Sequence, residues 1–275
     1  MREIREKADL GLLPDAGKVL SRTLNRMDNE QRLDSRDSAI LKAQIELLNS
    51  ALRLAQTRNQ LLPQHWDAGL EQHATSQLGQ DLWVLEQTKY KTGGFFVEFG
   101  ATDGIILSNT YLLETKFGWN GICAEPNPGF FEKLKTNRDC TVAPDCIAGE
   151  TGSEVDFVLA DEYGGITDFT DADGHVERRQ AYADRGQIIR LRTISLEDFL
   201  EKHNAPKIID YLSIDTEGSE YEILKNFPFE KWDIRLLTVE HNFTPMREDL
   251  RTLLEGHGYT RTEQQWDDWY AKSTD

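Results

Sequence analysis

A strand–turn–helix–strand pattern at 95–127 constrains the fold of this chain more than any other segment. A short apolar run, Phe95–Phe99, ends in the glycine turn 100–104, and a second apolar run at 121–124 ends in the acid Glu125. Such a unit is typical of an open parallel sheet, in which ligands bind at the carboxyl ends of the strands. The pattern therefore predicts a nucleotide-like ligand at this turn, with Glu125 accepting hydrogen bonds from the two hydroxyls of a ribose.

The residues of the turn indicate which nucleotide-like ligand is expected. A dinucleotide fold has the pattern G-x-G-x-x-G, but the third glycine is missing here and two acids, Glu98 and Asp103, flank the turn. Carboxylates repel a pyrophosphate and suit a cation, such as the ammonium and sulfonium of S-adenosylmethionine. The electrostatics favour this methyl donor over NAD, and the alternative is a ligand-free turn with solvated acids.

Several motifs occur in an order that resembles one known family. They are VEFGATDG, SNTYLLE, GWNGICAEPNP, LKTNR, IDYLSIDTEGSEYEIL and TVEHN. This series resembles the FkbM family of S-adenosylmethionine-dependent methyltransferases, from about Ser76 to Asn242. The first motif is usually closer to D-x-G-A-N-x-G, from which Glu98 and Thr102 depart. The resemblance implies an α/β, Rossmann-like class I methyltransferase sheet, mostly parallel with an antiparallel last strand.

The donor site predicted from the turn and from this resemblance spans three strand ends. Gly100 is expected at the methionine part, and the resemblance implies that Asn109 and Thr110 lie beside its carboxylate, unless they only cap the following helix. Asp145 is expected to accept from the adenine amino group, the alternative being a solvated loop acid, because Pro144 leaves the strand register open. The full predicted set is Glu98, Gly100, Asp103, Asn109, Thr110, Glu125, Pro126, Asn127, Asp145 and Cys146.

Acidic residues and a histidine follow two later apolar strands and predict the acceptor site. Asp215 and Glu217 follow IDYLSI, and His241 follows LLTV between Glu240 and Asn242. An alcohol nucleophile needs a positioned base, and His or a carboxylate can serve. Asp215, Glu217 and His241 are the candidate catalytic residues, with Glu240 and Asn242 contacting substrate. The same oxygens would suit Mg²⁺, with Asp215 and Glu240 as ligands, but no close D-x-D-x-D spacing is present and a metal is not predicted.

An insertion at 151–193 separates the third and fourth predicted strands of the sheet. EVDFVLAD and IIRLRTI within it predict antiparallel strands, and the polar stretch between them is expected to cover the acceptor site or to be a solvated loop. Its candidate substrate contacts are His175, Arg178, Arg179 and Tyr182.

The chain has two regions with different sequence patterns. Residues 1–74 carry Leu33, Ile40, Leu47, Leu54 and Leu61 at intervals of seven, which predicts a long helix with one narrow apolar stripe. This helical extension either packs on its own catalytic domain or forms a homo-oligomer, which the seven-residue period favours. Residues 75–275 form the predicted methyltransferase domain, with strands at 95–99, 121–125, 141–147, 208–214 and 234–240 and a carboxy-terminal hairpin.

Composition excludes several other classes of protein. The net charge of −17 disfavours nucleic acid as a partner, since its binding requires a basic surface. No apolar run approaches the ~18 residues of a membrane span. The charged amino terminus lacks the pattern of a secretory signal, and the 3 cysteines show no metal-type spacing. A cytoplasmic protein is expected.

The leading functional prediction is O-methylation of a hydroxyl, with the resemblance suggesting a sugar, a glycan or a secondary metabolite as the acceptor. One alternative is N-methylation of an amine or peptide. Another is a non-catalytic scaffold that acts through the amino-terminal helices and carries a relic methyltransferase domain.

The seven-residue stripe predicts that Leu47→Lys combined with Leu54→Lys shifts the protein toward the monomer, because lysine would place charge in an apolar helix contact. Light scattering measures the mass. Asn49→Lys with Gln56→Lys adds the same charge outside the stripe and should leave the mass unchanged. A native protein that is already monomeric would contradict the prediction.

Overall fold

The structure, a computed structural model, describes residues 68–169 and 176–273. The predicted helical stripe, which runs from Leu33 to Leu61, lies outside the described residues, so it stays a prediction. The described helices are α1 Ala68–Glu71, α2 Gln80–Gln87, α3 Tyr111–Phe117, α4 Pro128–Asn137, α5 Val176–Ala183, α6 Leu196–Lys202, α7 Glu220–Leu224 and α8 Arg247–Gly256. None of the helices in this part of the chain is long and apolar enough to cross a membrane.

The described strands are β1 Phe95–Phe99, β2 Asn120–Ala124, β3 Thr141–Ala143, β4 Cys146–Ala148, β5 Glu154–Val158, β6 Gly165–Ile166, β7 Ile188–Ser195, β8 Ile208–Ile214, β9 Asp233–Glu240, β10 Tyr259–Glu263 and β11 Asp267–Lys272.

Seven of these strands form the larger sheet, in the order β10-β11-β9-β8-β1-β2-β3. Five neighbouring strands of this sheet are parallel: β3, β2, β1, β8 and β9. Strand β11 is antiparallel to both β9 and β10. This is the Rossmann-like class I methyltransferase arrangement, and the predicted fold class is confirmed. The central strands are buried on both faces, which explains their continuous apolar sequences.

One predicted strand is wrong in its extent. Residues 141–147 were expected to form a single strand, but the run divides into β3, which pairs with β2, and β4, which pairs with β7 of the smaller sheet. Pro144 lies at the division and has no N–H to donate to a neighbouring strand. The smaller sheet has the order β4-β7-β5-β6, and its antiparallel β5–β7 pair confirms the two strands predicted within the insertion.

The core lies on both faces of the larger sheet. On one face the strands pack against α6 and α8, whose buried residues include Phe199 and Leu254. Leu85 of α2 and Leu112 of α3 are likewise fully buried. Ser195 caps the start of α6, since its Oγ accepts from the Asp198 N–H at 3.2 Å.

A buried ion-pair network joins β1 to the residue that follows α4. Arg138 Nε lies 2.6 Å from Glu114 Oε2, and its Nη1 lies 3.4 Å from Glu98 Oε2. The Arg138 side chain is 0% exposed and also donates to Thr110 Oγ1 at 2.8 Å. Because each charge has an opposite charge or a hydrogen bond beside it, the network holds the loop after β1 in one conformation.

Arg138→Met is expected to lower the free energy of unfolding by about 3–5 kcal/mol, because it leaves the Glu98 carboxylate buried without its cation. Urea unfolding followed by circular dichroism measures the change. Lys135→Met on α4 is the matched control, since its ion pair with Glu132 is exposed and such pairs contribute about 0–1 kcal/mol. Equal losses in the two variants would contradict a buried network.

Candidate functional site

The turn after β1 approaches the end of β8 so closely that it requires a glycine. Gly100 has φ +72°, and a Cβ added there would lie 2.1 Å from the carbonyl oxygen of Asp215. Any side chain would therefore displace one of the two strand ends. The half-buried turn lies at the carboxyl edge of the sheet, where α/β proteins bind their ligands.

Glu125 follows β2 and has a fixed, buried carboxylate. Its Oε2 accepts from the Thr102 N–H at 2.9 Å, and its Oε1 accepts from the Asn127 N–H at 2.8 Å. Burial raises the pKa of this carboxyl to about 7, although both amide hydrogen bonds oppose the shift. Each oxygen has further lone pairs, so the carboxylate can accept two hydroxyl hydrogens in the way predicted for a ribose.

Glu98 and Asp103 are occupied within the protein. Glu98 accepts from the Ser108 hydroxyl at 2.9 Å, from the Asn109 N–H at 2.6 Å and from the Thr110 hydroxyl. Asp103 Oδ1 accepts from two backbone N–H groups of its own turn, at 2.9 Å and 2.8 Å. This geometry favours shaping of the turn over the predicted contact with a donor ammonium.

Asn109 and Thr110 have different surroundings. Thr110 is fully buried, and its hydroxyl lies between Glu98 and Arg138, away from the edge of the sheet. Asn109 donates its amide to Ser213 Oγ at 2.9 Å, while its Oδ1 is buried and has no hydrogen-bond partner among the described residues. Asn109 also lines a small pocket at the carboxyl edge, so it is the one of the two that can contact a ligand there.

The residues predicted on the adenine side have mostly internal contacts. Asn127 caps α4 by accepting from the Gly129 N–H at 2.9 Å, and Pro126 beside it is half-buried. Asp145 forms an ion pair with Lys202 at 2.6 Å and contacts His203 at 3.1 Å, so it is not the solvated acid of the alternative interpretation.

Cys146 belongs to β4 of the smaller sheet rather than to the end of the third strand of the larger one. Its thiol is buried, and burial raises its pKa to about 12, so it stays protonated near neutral pH.

Three predicted acceptor-site acids come together in one cluster, which we call the acid cluster: Asp215, Glu217 and Glu240. One carboxylate oxygen of each lies within 4.8 Å of those of the other two. Burial raises the pKa of Asp215 to about 6 and raises that of Glu240 well above its usual value, and the mutual repulsion of the carboxylates adds to the shift of Glu240.

The neighbours of the acid cluster include residues from the insertion. Arg179 of α5 is buried, with its Nη1 3.4 Å from Glu217 Oε2. A Cβ added at Gly165 of β6 would lie 3.2 Å from the Glu217 Cβ. Asn242 Nδ2 lies 3.5 Å from Glu217 Oε2. The insertion and the loop after β9 therefore both contact this acid.

Two other candidates in the insertion, Arg178 and Tyr182, have contacts within the insertion itself. Arg178 is exposed and lies over the ring of Tyr163, 4.2 Å from its centroid. The Tyr182 hydroxyl bonds to Asp161 within the insertion. His175 lies outside the described residues. Arg179 does contact a predicted catalytic residue, Glu217.

The contacts of the His241 ring are with Phe243 and Asp268 and not with the acid cluster. Its ring is 1% exposed, Nδ1 accepts from the Phe243 N–H at 3.0 Å, and Nε2 lies 3.7 Å from Asp268 Oδ1. Burial lowers its pKa. The ring packs beside Asp268, whereas Glu240 lines the pocket with Asp215. The structure does not bring His241 to the acid cluster, so this geometry does not favour it as the base.

The sequence did not predict several residues of the pocket, among them the polar pair Asp267 and Gln80. Asp267 lies opposite Glu240 in the β9–β11 pairing and accepts from Gln80 Nε2 at 2.9 Å. Burial raises its pKa to about 7. Both residues line the pocket with Asp215 and Asn109. The available signal was the pair of consecutive acids in WDDWYAK, since one of two neighbouring strand residues must face inward.

Comparison with protein families agrees with the fold and the motifs. The model of the methyltransferase FkbM domain matches residues 98–261, which is more than half of the 275-residue chain. The chain therefore belongs to the FkbM methyltransferase family, as the order of its motifs indicates. A search among curated proteins found no match.

Solved structures with a similar arrangement include two methyltransferases. The N-terminal domain of human METTL16 is 16% identical, with 70% of this chain and 68% of that chain covered and a TM-score of 0.38. A putative RNA methyltransferase, PH1948 from Pyrococcus horikoshii, is 16% identical, with 81% and 98% covered and a TM-score of 0.37. The human domain in complex with SAH is 17% identical, with 70% and 68% covered and a TM-score of 0.36.

Proposed function

We propose that the protein is an S-adenosylmethionine-dependent methyltransferase that methylates a hydroxyl group, with a sugar, a glycan or a secondary metabolite as the acceptor. The observation that carries the proposal is the buried carboxylate of Glu125. Two backbone amides hold it at the end of β2, beside the glycine turn of a methyltransferase-family sheet.

The residues at the carboxyl edge fit the donor in three respects. Glu125 has lone pairs to accept the ribose hydroxyls. Gly100 is half-buried and has no side chain of its own to cover its backbone. Asn109 Oδ1 is buried without a partner among the described residues and can accept from the ammonium of the methionine part. These three residues are proposed to hold the donor, which supplies a methyl group on a positively charged sulfur.

The contribution of the protein to the reaction is positioning and proton removal. Holding two reactants in line is worth roughly 7–11 kcal/mol in the best-oriented model systems. The acid cluster lies next to the donor turn, because Gly100 and the carbonyl of Asp215 are in contact. An acceptor hydroxyl in the pocket would lose its proton to this cluster. A carboxylate with a pKa of about 6, as for Asp215, is a stronger base than an ordinary one.

The acid cluster favours a hydroxyl acceptor over an amine. A neutral amine can attack before it loses a proton, so it has less need of a base. Clustered basic carboxylates support the alcohol, and the sugar class rests on the family resemblance. The buried, intact donor turn disfavours a relic domain. RNA, the substrate class in the name given to PH1948, is disfavoured as the acceptor, because a net charge of −17 would repel phosphates.

The insertion is proposed to close over the acceptor. Arg179 and Gly165 both contact Glu217, so the acid cluster has a wall on one side that comes from outside the larger sheet. Exclusion of water by such a wall strengthens the electrostatic interactions inside the pocket.

Glu125→Ala is expected to weaken binding of S-adenosylhomocysteine, the spent donor, by about 1.5–3 kcal/mol, the scale of a hydrogen bond to a charged group. Isothermal titration calorimetry measures the affinity, and circular dichroism verifies the fold. Glu132→Gln removes an exposed charge from α4 and should bind normally. Unchanged affinity in a folded Glu125→Ala protein would remove the ribose assignment.

The raised pKa of Glu125 also predicts a pH dependence. The ionised carboxylate accepts both hydroxyl hydrogens, whereas the protonated form loses one acceptor. With a pKa of about 7, the ionised fraction, and with it the affinity for S-adenosylhomocysteine, should rise about tenfold from pH 6 to pH 8. Glu125→Gln should bind more weakly and show a flatter profile, which separates Glu125 from other groups that titrate in this range.

A further inference from the structure

The acid cluster lies at the carboxyl edge of the larger sheet, and two of its members, Asp215 and Glu240, line the pocket there. We infer that Asp215, Glu217 and Glu240 bind a hard divalent cation, of the class of Mg²⁺, Mn²⁺ and Ca²⁺. The acids come from two strand ends that are neighbours in the larger sheet, β8 and β9.

The spacing of the oxygen atoms suits a single ion. Hard divalent cations bind oxygen at about 2.0–2.6 Å, so two oxygens on opposite sides of one ion are about 4–5.2 Å apart, and adjacent ones are closer. One oxygen from each of the three carboxylates lies within 4.8 Å of the others. All three can therefore contact one ion without movement of the strands.

Unsatisfied oxygens in the pocket point to a ligand independently of the cluster. Asp267 is 6% exposed and lines the pocket with Asp215 and Glu240. Its Oδ2 accepts from Gln80 and Trp269, but its Oδ1 is buried and has no hydrogen-bond partner among the described residues. Glu240 Oε2 is likewise buried and has no hydrogen-bond partner among the described residues. Buried acceptors left unsatisfied are costly; a cation would satisfy Glu240 directly, and a water molecule bound to it could donate to Asp267.

The charge balance in the pocket also favours a cation. Arg179 contacts Glu217, but among residues 68–169 and 176–273 neither Asp215 nor Glu240 has an ion pair with a basic side chain. A divalent ion would supply the opposite charge that these two carboxylates lack.

The role of the cation rests on the proposed function, whereas its binding does not. An ion held by these acids would have positions left for an acceptor oxygen, because three carboxylates fill only part of a six-fold or larger shell. It would orient a hydroxyl or diol and stabilise the oxyanion that forms when the hydroxyl proton passes to a carboxylate oxygen of the acid cluster that does not bind the ion. The acceptor class is then an oxygen-rich molecule able to chelate.

Binding of Mn²⁺ to the full chain, freed of metal by a chelator, tests the inference directly. Loss of the electron paramagnetic resonance signal of free Mn²⁺ should give one site per chain, with Mg²⁺ and Ca²⁺ competing. Glu240→Gln and Asp215→Asn should each weaken that site at least about tenfold, the loss known for even the outer partners of metal ligands. Glu222→Gln, which removes an exposed charge from α7, should leave the site intact.

Folding and donor binding serve as separate readouts. Glu240→Gln removes a repelling charge, so its metal-free form should melt no lower than the native protein, while Mg²⁺ should raise the melting temperature of the native protein only. Absence of a Mn²⁺ site, or a site indifferent to both substitutions, would overturn the inference. If S-adenosylhomocysteine binds under either of those results, the cation is wrong and the proposed function stands. If Mn²⁺ binds as expected and S-adenosylhomocysteine does not bind, the proposed function is wrong and the cation site stands.

Discussion

The rest of the site depends on the hydrogen bonds and the ion pair of the buried Glu98 carboxylate. It lies in the middle of β1, between the strands β2 and β8, and receives hydrogen bonds from Ser108, Asn109 and Thr110 as well as the charge of Arg138. These contacts fix the loop between β1 and α3 from within. A buried carboxylate is stable only when its hydrogen-bond and charge partners are present. These contacts therefore favour one conformation of the loop and hold Asn109 at the pocket.

The close approach of Gly100 to the carbonyl of Asp215 connects the two halves of the site. Glu125 lies on one side of this contact and the acid cluster on the other. Because the glycine admits no side chain, a donor above the turn and an acceptor among the acids would be neighbours. The insertion adds a third element through Arg179. The proposed donor, acceptor and cover would thus lie around one strand junction, as in-line transfer between two reactants requires.

The fold could be predicted from the sequence to a large extent, because parallel strands buried on both faces appear as apolar runs that end in glycine or acid. The same reasoning found Glu125 and the three acids of the cluster, which all follow such runs directly. It failed where a residue's partner is distant in the chain. The internal role of Glu98 depends on Arg138, 40 residues later. Asp267 reaches the pocket only through its antiparallel pairing with Glu240. The division at Pro144 depends on a second sheet, and the direction of the His241 ring depends on Asp268, neither of which a local pattern encodes.

The most direct test of the central claim is a crystal structure of the protein with S-adenosylhomocysteine. The prediction is that both ribose hydroxyls lie within hydrogen-bond distance of the Glu125 carboxylate, about 2.5–3.0 Å, with the homocysteine part over Gly100 and the sulfur facing the pocket of Asp215 and Glu240. A ligand bound elsewhere, with Glu125 still bonded only to the amides of Thr102 and Asn127, would contradict it.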